Sequence, residues 1–99
     1  MKKLEWIIDQ IDEELEDSEK YIDKALKCKE HEPDWANAYY QISQQEMAHA
    51  EVLHGQAVQA IREYKGDVPM GMEWIWNREH EEYIDHAARI KMKWELYRK

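Results

Sequence analysis

Glycine, proline and cysteine are scarce in this 99-residue chain. It has three Gly and two Pro, and most of them fall in two short stretches, KEHEPDW and KGDVPMG. The single cysteine, Cys28, excludes an internal disulfide and fits a reducing compartment. No apolar run approaches the length of a membrane span, and acids interrupt MKKLEWIIDQID too soon for a signal peptide. We therefore expect a single cytoplasmic domain over residues 1–99.

Basic residues are also in the minority. The chain has 22 acidic residues against 14 Lys and Arg, and its formal net charge is −8. This balance argues against nucleic acids and anionic membranes as partners, because both are themselves negatively charged. It is compatible with a protein that handles cations.

Between the two Gly- and Pro-containing stretches the residues are mainly helix formers. We predict an all-α fold with helices at about Lys3–Lys29, Pro33–Lys65 and Met72–Arg98. Pro33 suits a first helical turn and Gly66 a helix stop. Because the connections are short, neighbouring helices should pack antiparallel, as a hairpin followed by a third helix.

Apolar residues recur at helical spacing in each segment. The stripe of the first helix contains Leu4, Ile7, Ile8, Ile11, Leu15, Ser18, Ile22, Ala25 and Leu26. The stripe of the second contains Trp35, Tyr39, Ile42, Ala50, Leu53, Ala57, Ala60 and Tyr64. The second helix also has another apolar strip of Ala36, Tyr40, Met47, Val58 and Ile61, which either faces a partner chain or is covered by the third helix.

The segment ISQQEMAHAEVLHG contains the spacing Glu-x-x-His twice. Glu46 and His49 fall within the stripe of the second helix, so we expect them to face the core, whereas Glu51 and His54 should decorate the surface. Residues three apart project from the same side of a helix, so a carboxylate and an imidazole can reach one ion. Iron, manganese and zinc accept this pair of ligands. A buried, hydrogen-bonded Glu–His pair is the alternative.

A third candidate ligand comes from the first helix. Glu14 lies on the flank of its stripe, and a hairpin that turns near His31 places it level with His49. Glu19 lies on the other flank, nearer to Gln44. We therefore expect Glu14 rather than Glu19 to join Glu46, unless Glu14 is an ordinary exposed residue of an acid-rich helix.

These residues resemble a known family. EELEDSEKYIDKA resembles the first helix of ferritin-like di-iron proteins, and QQEMAHAEVL resembles their E-x-x-H-A-E motif as found in rubrerythrins. The resemblance covers about Leu4–Tyr64. It implies that Glu14 is a terminal carboxylate ligand, Glu46 a bridging carboxylate and His49 an imidazole ligand of a di-iron centre. It also implies oxidation of Fe(II) by oxygen or peroxide, a ferroxidase activity; manganese and zinc remain open as alternative metals.

A complete ferritin-like bundle has four helices and supplies this ligand set twice. The third helix offers Glu82 and His86 as secondary metal candidates. A turn centred near Val68, however, places Glu46 level with Lys91 and leaves Glu82 away from the site. We therefore expect a homodimer, or a larger even-numbered homo-oligomer, that completes a four-helix bundle and resembles the encapsulated ferritins. The end of the chain, KMKWELYRK, shows no docking peptide, so an encapsulating shell is not expected.

Two other functions fit parts of the sequence. A non-catalytic helical interaction protein could use Glu14, Glu46 and His49 as a buried polar network that fixes pairing. A rubrerythrin-like peroxide scavenger fits less well, because there is no CxxC pair for an electron-transfer iron. Trp6, which lies off its helical stripe, favours assembly under any of these readings.

Overall fold

Three long α-helices make up the computed structural model, which describes residues 2–64 and 70–99. They are α1 (Lys2–Cys28), α2 (Pro33–Arg62) and α3 (Met70–Arg98). The all-α prediction is confirmed for this part of the chain. The predicted turn near Val68, with the stop at Gly66, lies outside the described residues. Over the two described ranges, no helix is both long and apolar enough to cross a membrane.

The connection between α1 and α2 is short and tightly bonded. The Glu32 N–H donates to the Cys28 carbonyl over 2.8 Å, and the Ala36 N–H donates to the Glu32 carbonyl over 2.9 Å. Pro33 occupies the first turn of α2, where its missing N–H costs nothing. The chain therefore reverses direction within a few residues, and α1 and α2 lie side by side.

The core is formed mainly by one face of α1. Its predicted stripe is confirmed, since every member except the half-buried Leu26 is buried. The buried apolar residues of α1 are Leu4, Ile7, Ile8, Ile11, Leu15, Ile22 and Ala25. From α3 the core receives Met72, Ala87 and Ile90.

The predicted core face of α2 was right for Ala50 and Ala57, which are buried, but the buried face is turned towards the second apolar strip. The buried residues of α2 are Ala36, Ser43, Met47, Ala50 and Ala57, whereas Trp35 is 62% exposed. The reason is that α3 covers the second apolar strip, where Tyr40 and Ile61 pack against the core. Helix α2 is thus buried from two sides, and its second strip is no argument for a partner chain.

A pair of serines joins α1 to α2 at the centre of the hairpin. Ser18 Oγ donates to the Ser43 carbonyl over 2.8 Å, and Ser43 Oγ donates to the Ser18 carbonyl over 2.7 Å. Both residues are fully buried. Trp94 of α3 adds its indole N–H, which donates to Ser43 Oγ over 2.9 Å. Small side chains bring the two backbones close together here, and the serine hydroxyls link all three helices.

Helix α3 lies against both other helices. Along α2, Tyr97 stacks on Tyr40 and Tyr83 stacks on His54, with ring centroids 4.6 and 4.2 Å apart. These stacked pairs align α3 with α2 in the way that sets Glu46 level with Lys91, as the sequence predicts. On α1, Glu19 accepts a two-pronged hydrogen bond from Arg89, at 2.7 and 3.0 Å. The flank of α1 that carries Glu19 is therefore in contact with α3.

We expect Ser43→Ala to lower the free energy of unfolding by about 1–3 kcal/mol, because the Trp94 N–H loses its acceptor in a half-buried position. Ser18→Ala is the matched control. It leaves the bonds from Ser43 Oγ to the Ser18 carbonyl and from Trp94 to Ser43 in place, so it should cost less. Urea unfolding followed by circular dichroism measures both. Equal losses in the two variants would contradict this role for Ser43.

The ion pairs of Glu19 predict an acid-sensitive contact. Hydrogen bonding from Arg89, followed by that from Lys93 and His86, lowers the pKa of Glu19 from 4.5 to about 2. The stabilisation is therefore complete above pH 4.5 and is lost as the pH falls towards 2. Because Arg89 is half exposed, we expect Glu19→Gln to cost only about 1–2 kcal/mol at pH 7. Urea unfolding at several pH values should show this difference shrinking below pH 4.5; a constant difference would contradict it.

Candidate metal centre

Glu14 of α1 meets Glu46 and His49 of α2. Glu14 Oε2 lies 3.5 Å from His49 Nδ1, and Glu46 Oε2 lies 4.0 Å from the same nitrogen. One ligand atom from each of the three residues lies within 4.8 Å of the other two. The predicted hairpin register thus brings Glu14 level with His49, and the structure assembles the predicted triad.

The triad lies on the flank of the hairpin that faces away from α3. Glu14 and Glu19 are five residues apart, which separates them by roughly 140° around the helix. Since Glu19 contacts α3, Glu14 must project from the other side. The side chains of Glu14 and Glu46 are 21% and 22% exposed, whereas that of His49 is 61% exposed. The expectation that Glu46 and His49 face the core was therefore wrong, because the core lies further towards α3.

The carboxylates of Glu14 and Glu46 lie close together. Hydrogen bonding to the Glu14 carboxyl, followed by burial and the Glu14 charge, raises the pKa of Glu46. Glu14 Oε2 is buried and has no hydrogen-bond partner. The His49 ring lies within ion-pair distance of both carboxylates and opposes the rise in the Glu46 pKa, but its effect is the smallest of the four contributions. A shared proton relieves this repulsion in part, and a bound divalent cation relieves it fully, so the residues present fit a metal ion.

Aromatic residues continue along the same side of the hairpin. Tyr21 lies two turns after Glu14 and stacks on Tyr39, with ring centroids 6.0 Å apart. Trp35 packs beside Tyr39 at 6.2 Å and remains mostly exposed.

The secondary candidates Glu82 and His86 form no ion pair with each other. Arg78 Nε donates to Glu82 Oε1 over 3.3 Å. The His86 imidazole instead lies 2.9 Å from Glu19 Oε1. Glu82 thus pairs with a neighbour on α3, and His86 links α3 to α1. Neither side chain belongs to the triad.

The second Glu-x-x-His pair divides between surface and interior. Glu51 is exposed, as expected, and lies 3.8 Å from Lys91. His54 was expected at the surface as well, but this was wrong because α3 covers it. Its Nε2 lies 3.0 Å from Nδ1 of His80, a residue that the sequence analysis did not single out. Only the packing of α3 onto α2 could have revealed this pair.

Comparison with known proteins adds no relative. No family model, curated protein or solved structure matches this chain.

The repulsion between Glu14 and Glu46 predicts that Glu46→Gln stabilises the metal-free protein. A carboxyl whose pKa is raised in the folded state costs stability as the pH rises through that pKa. The gain should therefore be present at pH 7 and should vanish below pH 4.5. Thermal unfolding in a chelator measures it, with Glu51→Gln as the exposed control on the same helix. A variant less stable than wild type at pH 7 would contradict the repulsion.

Proposed function

We propose that this protein is a ferritin-like iron-binding protein that oxidises Fe(II) at a site built from Glu14, Glu46 and His49. The observation that carries the proposal is the convergence of two neighbouring carboxylates and an imidazole at one point of a helical hairpin. The buried, unpartnered oxygen of Glu14 supports it, because a purely structural network would satisfy that atom internally. This ligand set suits iron, and it also suits manganese and zinc.

In this proposal the site is completed by a second chain. A complete ferritin-like centre needs two ligand sets on four helices, and each hairpin supplies one. The flank that carries the triad is the one α3 leaves open, so a second hairpin can approach it there. Trp35 lies three turns before Glu46 on the same side of α2 and is 62% exposed. Trp6 of α1 is 66% exposed. A symmetric dimer covers such aromatic surface and joins two ligand sets at its two-fold axis.

Each residue of the triad has a separate task. Glu14 would hold one metal as a terminal carboxylate ligand, and Glu46 would be the carboxylate ligand shared by both metals. The His49 imidazole is a neutral ligand, so it binds without adding negative charge to an already acidic pair. The repulsion between the carboxylates favours occupancy by a doubly charged ion. Bound iron supplies the electrons that oxygen or peroxide accepts.

The proposal predicts that Glu46→Ala abolishes rapid Fe(II) oxidation, because the variant lacks one of the two carboxylate ligands. Glu14→Ala and His49→Ala should reduce both iron uptake and oxidation. Glu51→Ala is the matched control, since Glu51 is an exposed acid five residues away on the same helix. Stopped-flow oxygen consumption with Fe(II) measures the rate, and equilibrium dialysis measures iron bound per chain.

Two results would contradict the proposal. If Glu46→Ala oxidises Fe(II) at the wild-type rate, as the control Glu51→Ala should, the activity does not depend on this site. A folded wild-type protein that binds no iron, and in which His49→Gln is harmless, would favour the non-catalytic interaction protein instead.

A further inference from the structure

A second group of metal-ligating side chains lies at the junction of all three helices. Its centre is the imidazole pair of His54 on α2 and His80 on α3. The residues around it are Ile8, Ile11 and Asp12 of α1 and Trp76, Glu79 and Tyr83 of α3. Together they line a small, partly enclosed recess with room for about one water-sized particle. None of the residues of the first triad belongs to it.

We propose that His54 and His80 bind a single divalent transition-metal ion that joins α2 to α3. Their facing nitrogens, His54 Nε2 and His80 Nδ1, are 3.0 Å apart. Two imidazole nitrogens that each bind one tetrahedral ion at about 2.1 Å lie roughly 3.4 Å apart. The facing nitrogens therefore need to separate by only about half an ångström to become adjacent ligands.

The proton balance of binding is simple. In the metal-free protein, one of the two rings donates an N–H to the facing nitrogen of the other ring. When an ion binds, the donor ring moves that proton to its remaining nitrogen, so both facing nitrogens present lone pairs. When both rings are neutral, binding releases no net proton, and no redox step is needed. Burial, followed by the charge of His80, lowers the pKa of His54, which keeps the ring neutral at neutral pH.

The surroundings of the pair suit a cation. Asp12 and Glu79 line the same recess from α1 and α3. Burial, followed by neighbouring acids, raises the pKa of each, and among the described residues neither forms an ion pair. Water would fill the remaining coordination positions. The two carboxylates lining the recess supply nearby negative charge that a dication neutralises.

The imidazoles are held in place by aromatic neighbours. The Tyr83 ring stacks on His54 with centroids 4.2 Å apart and planes 8° from parallel. Trp76 stacks on the same ring at 5.6 Å. Such a shell restricts ring rotation, so little freedom is lost when an ion binds. Imidazole-rich sites favour zinc, nickel, copper and iron, and Zn²⁺ is the convenient probe because it is redox-inert.

The test uses full-length protein with Glu46→Ala and His49→Ala, which removes the first site. Calorimetric titration should find one Zn²⁺ per chain in this background. Adding His54→Gln or His80→Gln should raise the Kd at least about 100-fold, since loss of a direct ligand exceeds the 10–100-fold typical of outer partners. His31→Gln is the matched control, because His31 is exposed in the turn between α1 and α2.

Imidazole NMR of the same background keeps the test valid if a glutamine variant unfolds. Zn²⁺ should shift the ring signals of His54 and His80 and leave those of His31 unchanged. The proposal is overturned if the background binds no Zn²⁺, if the Kd is insensitive to both glutamine variants, or if neither ring signal moves. Because the first site is absent throughout, none of these results bears on the proposed iron site.

Discussion

Close packing of α1 against α2 is the contact on which the rest of the structure depends. The buried pair of Ser18 and Ser43 holds the two helices at one separation and one register. Small buried residues elsewhere along the two helices, Ala25, Ala50 and Ala57, also allow close approach of the backbones. Glu14 and His49 meet only because this register holds. Ser43 Oγ also accepts the Trp94 N–H and so positions α3.

The hairpin has two unlike flanks. One flank forms the ion pairs that attach α3, and the other carries the candidate metal ligands. On one flank, Glu19 is surrounded by Arg89, Lys93 and His86, so its charge is fully compensated. On the other flank, the Glu14 and Glu46 carboxylates share one imidazole, at 3.5 and 4.0 Å. Glu19 thus ties α3 to the hairpin, whereas the pair of Glu14 and Glu46 leaves two neighbouring carboxylates with one largely exposed partner. This difference supports the proposed metal site.

Much of this arrangement follows from periodicity and chain length. The buried face of α1 could be read from the spacing of Ile7, Ile11 and Leu15, and the short turn before Pro33 placed Glu14 opposite His49. The core face of α2 could not be predicted in the same way. That helix has apolar residues on two sides, and its orientation depends on where α3 packs. His54 and His80 lie 26 residues apart in sequence and meet only after α3 has docked, so spacing alone could not pair them.

The central claim is that two chains share a metal centre made of Glu14, Glu46 and His49. Native mass spectrometry of the anaerobic metal-free protein, titrated with Fe(II), tests it most directly. The account predicts a dimer, or an even-numbered multiple of it, that takes up two irons per pair of chains, and a Glu46→Ala variant that takes up none at this site. A multimer that binds no iron, or a monomer that binds two, would contradict it.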